Sequence, residues 1–267
     1  VGRGIKSEQG RADRLTYTIP ELLSDGTRAK KVESNTSVFD PVVCELAYSW
    51  WCKPGAVVLD PFAGGSVRGV VASLMGLKYW GCELRAEQVA ENQAQLVNPM
   101  LYGAYKPFWV CGDSLQVFSG AMGRLPPDAD LIFSCPPYGN LEVYSEDPAD
   151  ISNRATFGEF LIPYGQIIAN TVARLKQDRF AVWVVGNYRD AQGNMLDFVG
   201  ETIRCFQAAG AAYYNDIILI NSVGSGAMRA ENTFGPARKI VKLHQNVLVF
   251  VKGNARAATA WVKGENG

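Results

Sequence analysis

Between residues 56 and 210 the chain alternates short, wholly apolar runs with longer amphipathic ones, and few folds tolerate that pattern. The runs 56–60, 78–83, 107–113, 129–135 and 179–186 read as buried strands. Helical periodicity follows the first at 64–75, the second at 85–97, the fourth at 157–176 and the fifth at 195–210. Strands apolar on both faces, joined by helices, imply a parallel sheet covered on both sides. The last two runs, 212–221 and 246–253, have no helix between them and should pair antiparallel. Ahead of the alternation, Asp40-Pro41 suits a helix start, and Val42, Val43, Leu46, Ala47 and Trp50 recur at helical spacing after it. The expected organisation is an arm or irregular extension at 1–36, a folded domain at 37–253 and a tail at 254–267.

A chain of 267 residues can bury one substantial core. It holds no apolar run near the roughly 20 residues of a membrane-spanning helix, and its start lacks the apolar stretch of a secretory signal. The first residue is Val, which leaves room for a longer protein. Six cysteines form no C-x-x-C pair and His244 is the only histidine, so no metal site is expected. Reduced core thiols point to a cytoplasmic setting. The 26 basic and 26 acidic side chains cancel, which argues against binding polyanions through bulk charge. Local asymmetry survives at 222–243, where Arg229, Arg238, Lys239 and Lys242 face Glu231 alone.

The run VVLDPFAGGSVRG (57–69) puts Asp60 at a strand end, Gly64 and Gly65 in the turn, and a helix start behind them. Glycines let backbone approach a ligand, and the following helix offers unpaired N–H groups. A nucleotide dehydrogenase or a plain tight turn would also fit. The second strand ends in Glu83 and the third in Asp113. A carboxylate after the second can accept from both hydroxyls of a ribose, and one after the third from an adenine amino group. Together these acids describe an adenosine-type site, although each could instead cap the helix that follows it. The fourth strand delivers FSCPPYGN (133–140), a rigid proline turn with free carbonyls and the flat face of Tyr138. Such a turn can hold an extruded base by its amino group while the ring stacks.

At these residues the chain resembles the DNA amino-methyltransferase family, which modifies adenine N6 or cytosine N4. DPFAGGS is similar to that family's cofactor motif, CPPY to its catalytic tetrad, and SVFDPVVCELAYSWWCKPG to its cofactor-covering segment. The resemblance spans about residues 37–253. It implies an α/β, Rossmann-like methyltransferase fold: a seven-stranded, mostly parallel sheet with a reversed terminal strand and helices on both faces. It also implies S-adenosylmethionine as cofactor, flanked by Phe39, Asp60 and Phe62 with Gly64, Gly65, Glu83 and Asp113. Cys135 and the Pro136 carbonyl, held by Pro137, would orient the accepting amine while Tyr138 stacks on the base.

Two positions depart from the family. Ser66 stands where a second glycine is usual, and Cys135 heads a tetrad normally led by Asp, Asn or Ser. Cysteine resembles serine in size, and Ser-headed tetrads go with cytosine N4 in the family. Little chain is left for a recognition domain, so sequence selection falls to loops, the arm, or a missing region or partner chain. The loop 222–243 and the one after Tyr138 are expected to wall a DNA cleft, with His244 a structural residue. The alternatives are an RNA amino-methyltransferase, a pyrimidine carbon-5 enzyme with Cys135 as nucleophile, and an inactive nucleic-acid-binding module.

Overall fold

The computed structural model describes residues 16–22, 28–34, 39–123, 125–141, 144–220 and 233–265. Within the expected arm, β1 (Thr16–Leu22) and β2 (Arg28–Ser34) pair as an antiparallel ladder of their own. Helix α1 (Pro41–Trp51) starts as its sequence predicts: the Asp40 side chain accepts from Val42 N at 2.9 Å and Pro41 occupies the first turn.

The main sheet contains β3 (Val57–Asp60), β4 (Lys78–Glu83), β5 (Phe108–Cys111), β6 (Ala129–Ser134), β7 (Leu175–Val185), β10 (Ala212–Ile220) and β11 (His244–Lys252). Their spatial order is β10–β11–β7–β6–β3–β4–β5. Strands β3 to β7 run parallel, and β11 lies antiparallel to both of its neighbours. The strand reversed in direction is therefore last in the chain but second from the edge of the sheet.

Period-two alternation divides the core between the two faces of the sheet. Val58, Leu131, Phe133, Val182 and Val249 belong to one buried cluster, with α1 and α2 (Val67–Leu74). Leu59, Ile132, Ala181, Trp183, Leu248 and Phe250 belong to the other, with α4 (Ser114–Ser119), α5 (Phe157–Arg174) and α6 (Phe198–Ala208). The helix α3 (Ala86–Gln95) puts Val89 into the first cluster.

Three segments differ from the sequence reading. Asp197 caps α6 by accepting from Gly200 N at 3.0 Å, so that helix starts after β8 (Tyr188–Arg189) and β9 (Met195–Leu196), a small hairpin the helical pattern conceals. A short helix α7 spans 233–237. The segment expected as a tail carries α8 (Ala255–Lys263), capped by Asn254. Its Ala258 is buried and its Trp261 ring lies 3.7 Å from the Arg179 guanidinium.

From β3 the chain moves one way across the sheet to β4 and β5, then returns to the other side of β3 for β6 and β7. Open parallel sheets hold ligands at the carboxyl ends of their strands where such a reversal occurs. Here that point lies between the turn after Asp60 and the turn after Ser134.

Candidate functional site

Asp60 ends β3 fully buried, and its carboxylate is saturated by protein. It accepts from Arg68 Nε at 2.6 Å, Tyr79 Oη at 2.7 Å, Ser134 Oγ at 2.5 Å and its own turn at Phe62 N, 3.1 Å. Arg68, also buried, passes the constraint on through Nη2 to the carbonyls of Phe62 and Ala63 at 2.5 and 2.9 Å. Desolvation opposes its charge, but the Asp60 carboxylate prevails and raises its pKa. Asp60 itself does not line the cavity; it ties the ends of β3 and β6 to one turn.

In that turn Gly64 has φ +51, which favours glycine. Its N–H donates to Glu83 Oε2 at 3.0 Å and its carbonyl accepts from Asn92 Nδ2 at 2.8 Å. Asn92 Oδ1 takes Gln88 Nε2, and Gln88 Oε1 takes Arg85 Nη2, both at 3.0 Å. Arg85 N closes the circuit onto Glu83 Oε1 at 3.0 Å. Ser66 has φ −74 and needs no glycine; its hydroxyl donates to Gln95 Oε1 at 3.1 Å. Asp113 caps α4 by accepting from Leu115 N at 2.9 Å, and Ser114 Oγ donates to the Pro61 carbonyl at 2.5 Å.

Beyond β6, the Tyr138 hydroxyl accepts from Gln245 Nε2 at 2.5 Å. The Tyr138 ring meets Tyr188 and Phe198 edge-on, at 6.0 and 5.8 Å between centroids. Gly139, at φ +53, lets the Tyr188 hydroxyl lie where a side chain would project. Pro136 is buried, whereas Cys135, Pro137 and Tyr138 are half-exposed.

These turns converge on a cavity of about 700 Å³. Phe39, Phe62, Gly64, Gly65, Glu83 and Asp113 line it together with Cys135, Pro136, Pro137 and Tyr138. Phe62 also packs on Tyr164 and Trp183, so it is both wall and core. Phe39 meets Phe133 edge-on, and the Arg68 guanidinium lies 4.7 Å from its ring. His244 does more than terminate a loop, since it opens β11 and lines the cavity beside Gln245.

The basic residues are placed less directly. Arg229 lies outside the described residues, and Arg238, Lys239 and Lys242 do not line the cavity. They precede β11 on the segment that leads to it, with Lys239 Nζ against Gly193 in the β8–β9 turn. Burial lowers the Lys242 pKa against the opposing pull of Asp216. Among the described residues no three His, Cys, Asp or Glu are grouped to hold a metal ion, and no helix is long and apolar enough to cross a membrane.

No family model matches the sequence, and no curated protein matches it. Solved structures do match the fold. TrmN from Thermus thermophilus superposes with a TM-score of 0.52 at 14% identity, over 85% of this chain and 55% of that one. The chain thus spans about half of TrmN's length. Magnesium protoporphyrin IX methyltransferase (ChlM) from Synechocystis PCC 6803 with bound SAH gives 0.50 at 11% identity, over 80% and 83% of the two chains. Precorrin-6y C5,15-methyltransferase from Geobacter metallireducens GS-15 gives 0.50 at 12%, over 83% and 94%. The chain has the Rossmann-like methyltransferase fold.

Sequence reasoning missed Arg68, Ser134, Gln245 and the Arg85–Gln88–Asn92 relay. One signal was present: Arg85, Gln88, Asn92 and Gln95 recur at helical spacing, a polar stripe on one helix face.

Proposed function

We propose that this protein is an S-adenosylmethionine-dependent methyltransferase acting on an exocyclic amino group of a DNA base, cytosine N4 in preference to adenine N6. The observation that carries this reading is the single cavity shared by Glu83, Asp113 and the Gly64 turn on one side and Cys135–Tyr138 on the other. A nucleoside-sized ligand and a flat base need neighbouring compartments of this kind, and about 700 Å³ is within the usual range for small-molecule sites.

The residues fit the cofactor. Gly64 adds no side chain to the turn, Glu83 would accept from ribose hydroxyls, and Asp113 would accept from the adenine amino group. Phe39 and Phe62 supply apolar walls. When bound, S-adenosylmethionine supplies a methyl group already activated on a positively charged sulfur. The protein's task is then alignment: Cys135 and the Pro136 carbonyl orient the amine, and the edge-packed Tyr138 ring stacks on the base. Arg238, Lys239 and Lys242, with Arg229, would neutralise phosphates on the approach to β11.

Isothermal titration with S-adenosylmethionine, followed by transfer of labelled methyl to DNA and to RNA, tests the proposal. Binding with labelling of DNA supports it. Tight binding of NAD instead would remove the cofactor, and label appearing in RNA alone would change the substrate.

A further inference from the structure

Two carboxamides in the cavity have their orientation set by the fold. Asn187 follows β7, and its Oδ1 accepts from Val199 N in the first turn of α6 at 2.7 Å. That bond leaves Nδ2, with its two N–H donors, as the end available to a ligand. Gln245 gives Nε2 to the Tyr138 hydroxyl. Both residues line the cavity. A Cβ on Gly186 would come within 3.7 Å of Gln245 Cα and Cγ, so Gln245 runs alongside the residue preceding Asn187.

We propose that Asn187 is a specificity-determining residue: its Nδ2 donates to the unprotonated ring nitrogen beside the accepting amino group, while Gln245 fixes the stacking ring of Tyr138. This rests on the base-methylation reading of the cavity. A flat base stacked on Tyr138 and held only by its amino group can still turn in its own plane. A second in-plane hydrogen bond removes that freedom, and alignment governs the rate. Cytosine and adenine both present a lone pair on the ring nitrogen beside the amino group. Uracil and hypoxanthine present an N–H there, which would leave two donors facing each other unpaired.

The test is chemical on both sides. The relevant analogue is 3-deazacytosine or 1-deazaadenine, whichever matches the base methylated, since a C–H replaces the ring nitrogen in it. The wild type should favour the parent base in kcat/KM by roughly 10- to 100-fold, the worth of one satisfied hydrogen bond in a dry site. Asn187→Ala should lose most of that preference through a slower parent reaction, with the analogue's rate little changed. Asn187→Asp keeps the acceptor for Val199 N, so it should keep the fold and also lose the preference. A preference that survives at full size in both variants would overturn this inference and leave base methylation standing. Failure of the wild type to methylate any base would overturn the reading beneath it.

Discussion

The backbone N–H of Gly64 donates to Glu83 Oε2 at 3.0 Å, joining the turn after β3 to the acid that ends β4. One carboxylate therefore shapes the turn and faces the cavity. Removing it should act on both. We expect Glu83→Ala to weaken S-adenosylmethionine binding by roughly 1–3 kcal/mol, the cost of unpaired buried hydroxyls. Titration calorimetry reads this directly, and unchanged affinity would take Glu83 out of the site.

Arg68 and Asp60 form a buried ion pair, with side chains 6% and 0% exposed. Arg68→Met leaves the Asp60 carboxylate buried without its cation, so it should destabilise the protein by about 3–5 kcal/mol. Adding Asp60→Asn should restore part of the loss, since the uncompensated charge then disappears. Urea unfolding measures both. A loss below about 1 kcal/mol in the single variant would mean that the pair does not organise this turn.

The sheet was legible because its strands are apolar on both faces and its helices are amphipathic, so periodicity alone separates them. Glu83 and Asp113 were legible as strand-end acids. Asp60 shares that position, yet its role depends on Arg68, Tyr79 and Ser134, which converge from three other elements. Strand position cannot reveal such partners. The β8–β9 hairpin was hidden for a different reason: Met195 and Leu196 continue the apolar pattern of α6, although Asp197 starts that helix after them. Gln245 became visible only once β11 had been placed beside β7, within reach of Tyr138.

Asp130, at the start of β6, accepts from Val57 N at 3.0 Å and Lys176 Nζ at 2.8 Å, with Arg179 Nε at 3.4 Å. Burial alone would raise its pKa, but these donors and cations outweigh it and hold the carboxyl below its ordinary value. A depressed acid contributes stability above its unfolded pKa of about 4, and that contribution is lost as pH falls through the lowered folded value. Urea midpoints followed from pH 7 to pH 3 should therefore fall further for the wild type than for Asp130→Asn. Parallel curves would contradict the assignment.

Arg238 follows α7 at φ +51, a position that favours glycine, with its N–H on the Phe234 carbonyl at 2.8 Å and its guanidinium 5.2 Å from the Phe234 ring. Arg238→Gly should leave stability unchanged or raise it by up to about 1 kcal/mol. DNA affinity should nevertheless fall, with a salt slope shallower by about one. Fluorescence anisotropy at several salt concentrations reads the slope. Equal affinity and slope in the variant would make this cation ordinary surface.

Methylation of a base amino group is read out by mass analysis of nucleosides from DNA incubated with S-adenosylmethionine and either the wild type or Cys135→Ser. N4-methylcytosine, or N6-methyladenine, should form with both proteins, because a hydroxyl can orient an amine as well as a thiol can. 5-Methylcytosine from the wild type, absent with Cys135→Ser, would contradict this. Cys135 would then be a nucleophile on carbon 6, a role that serine fills poorly near neutral pH.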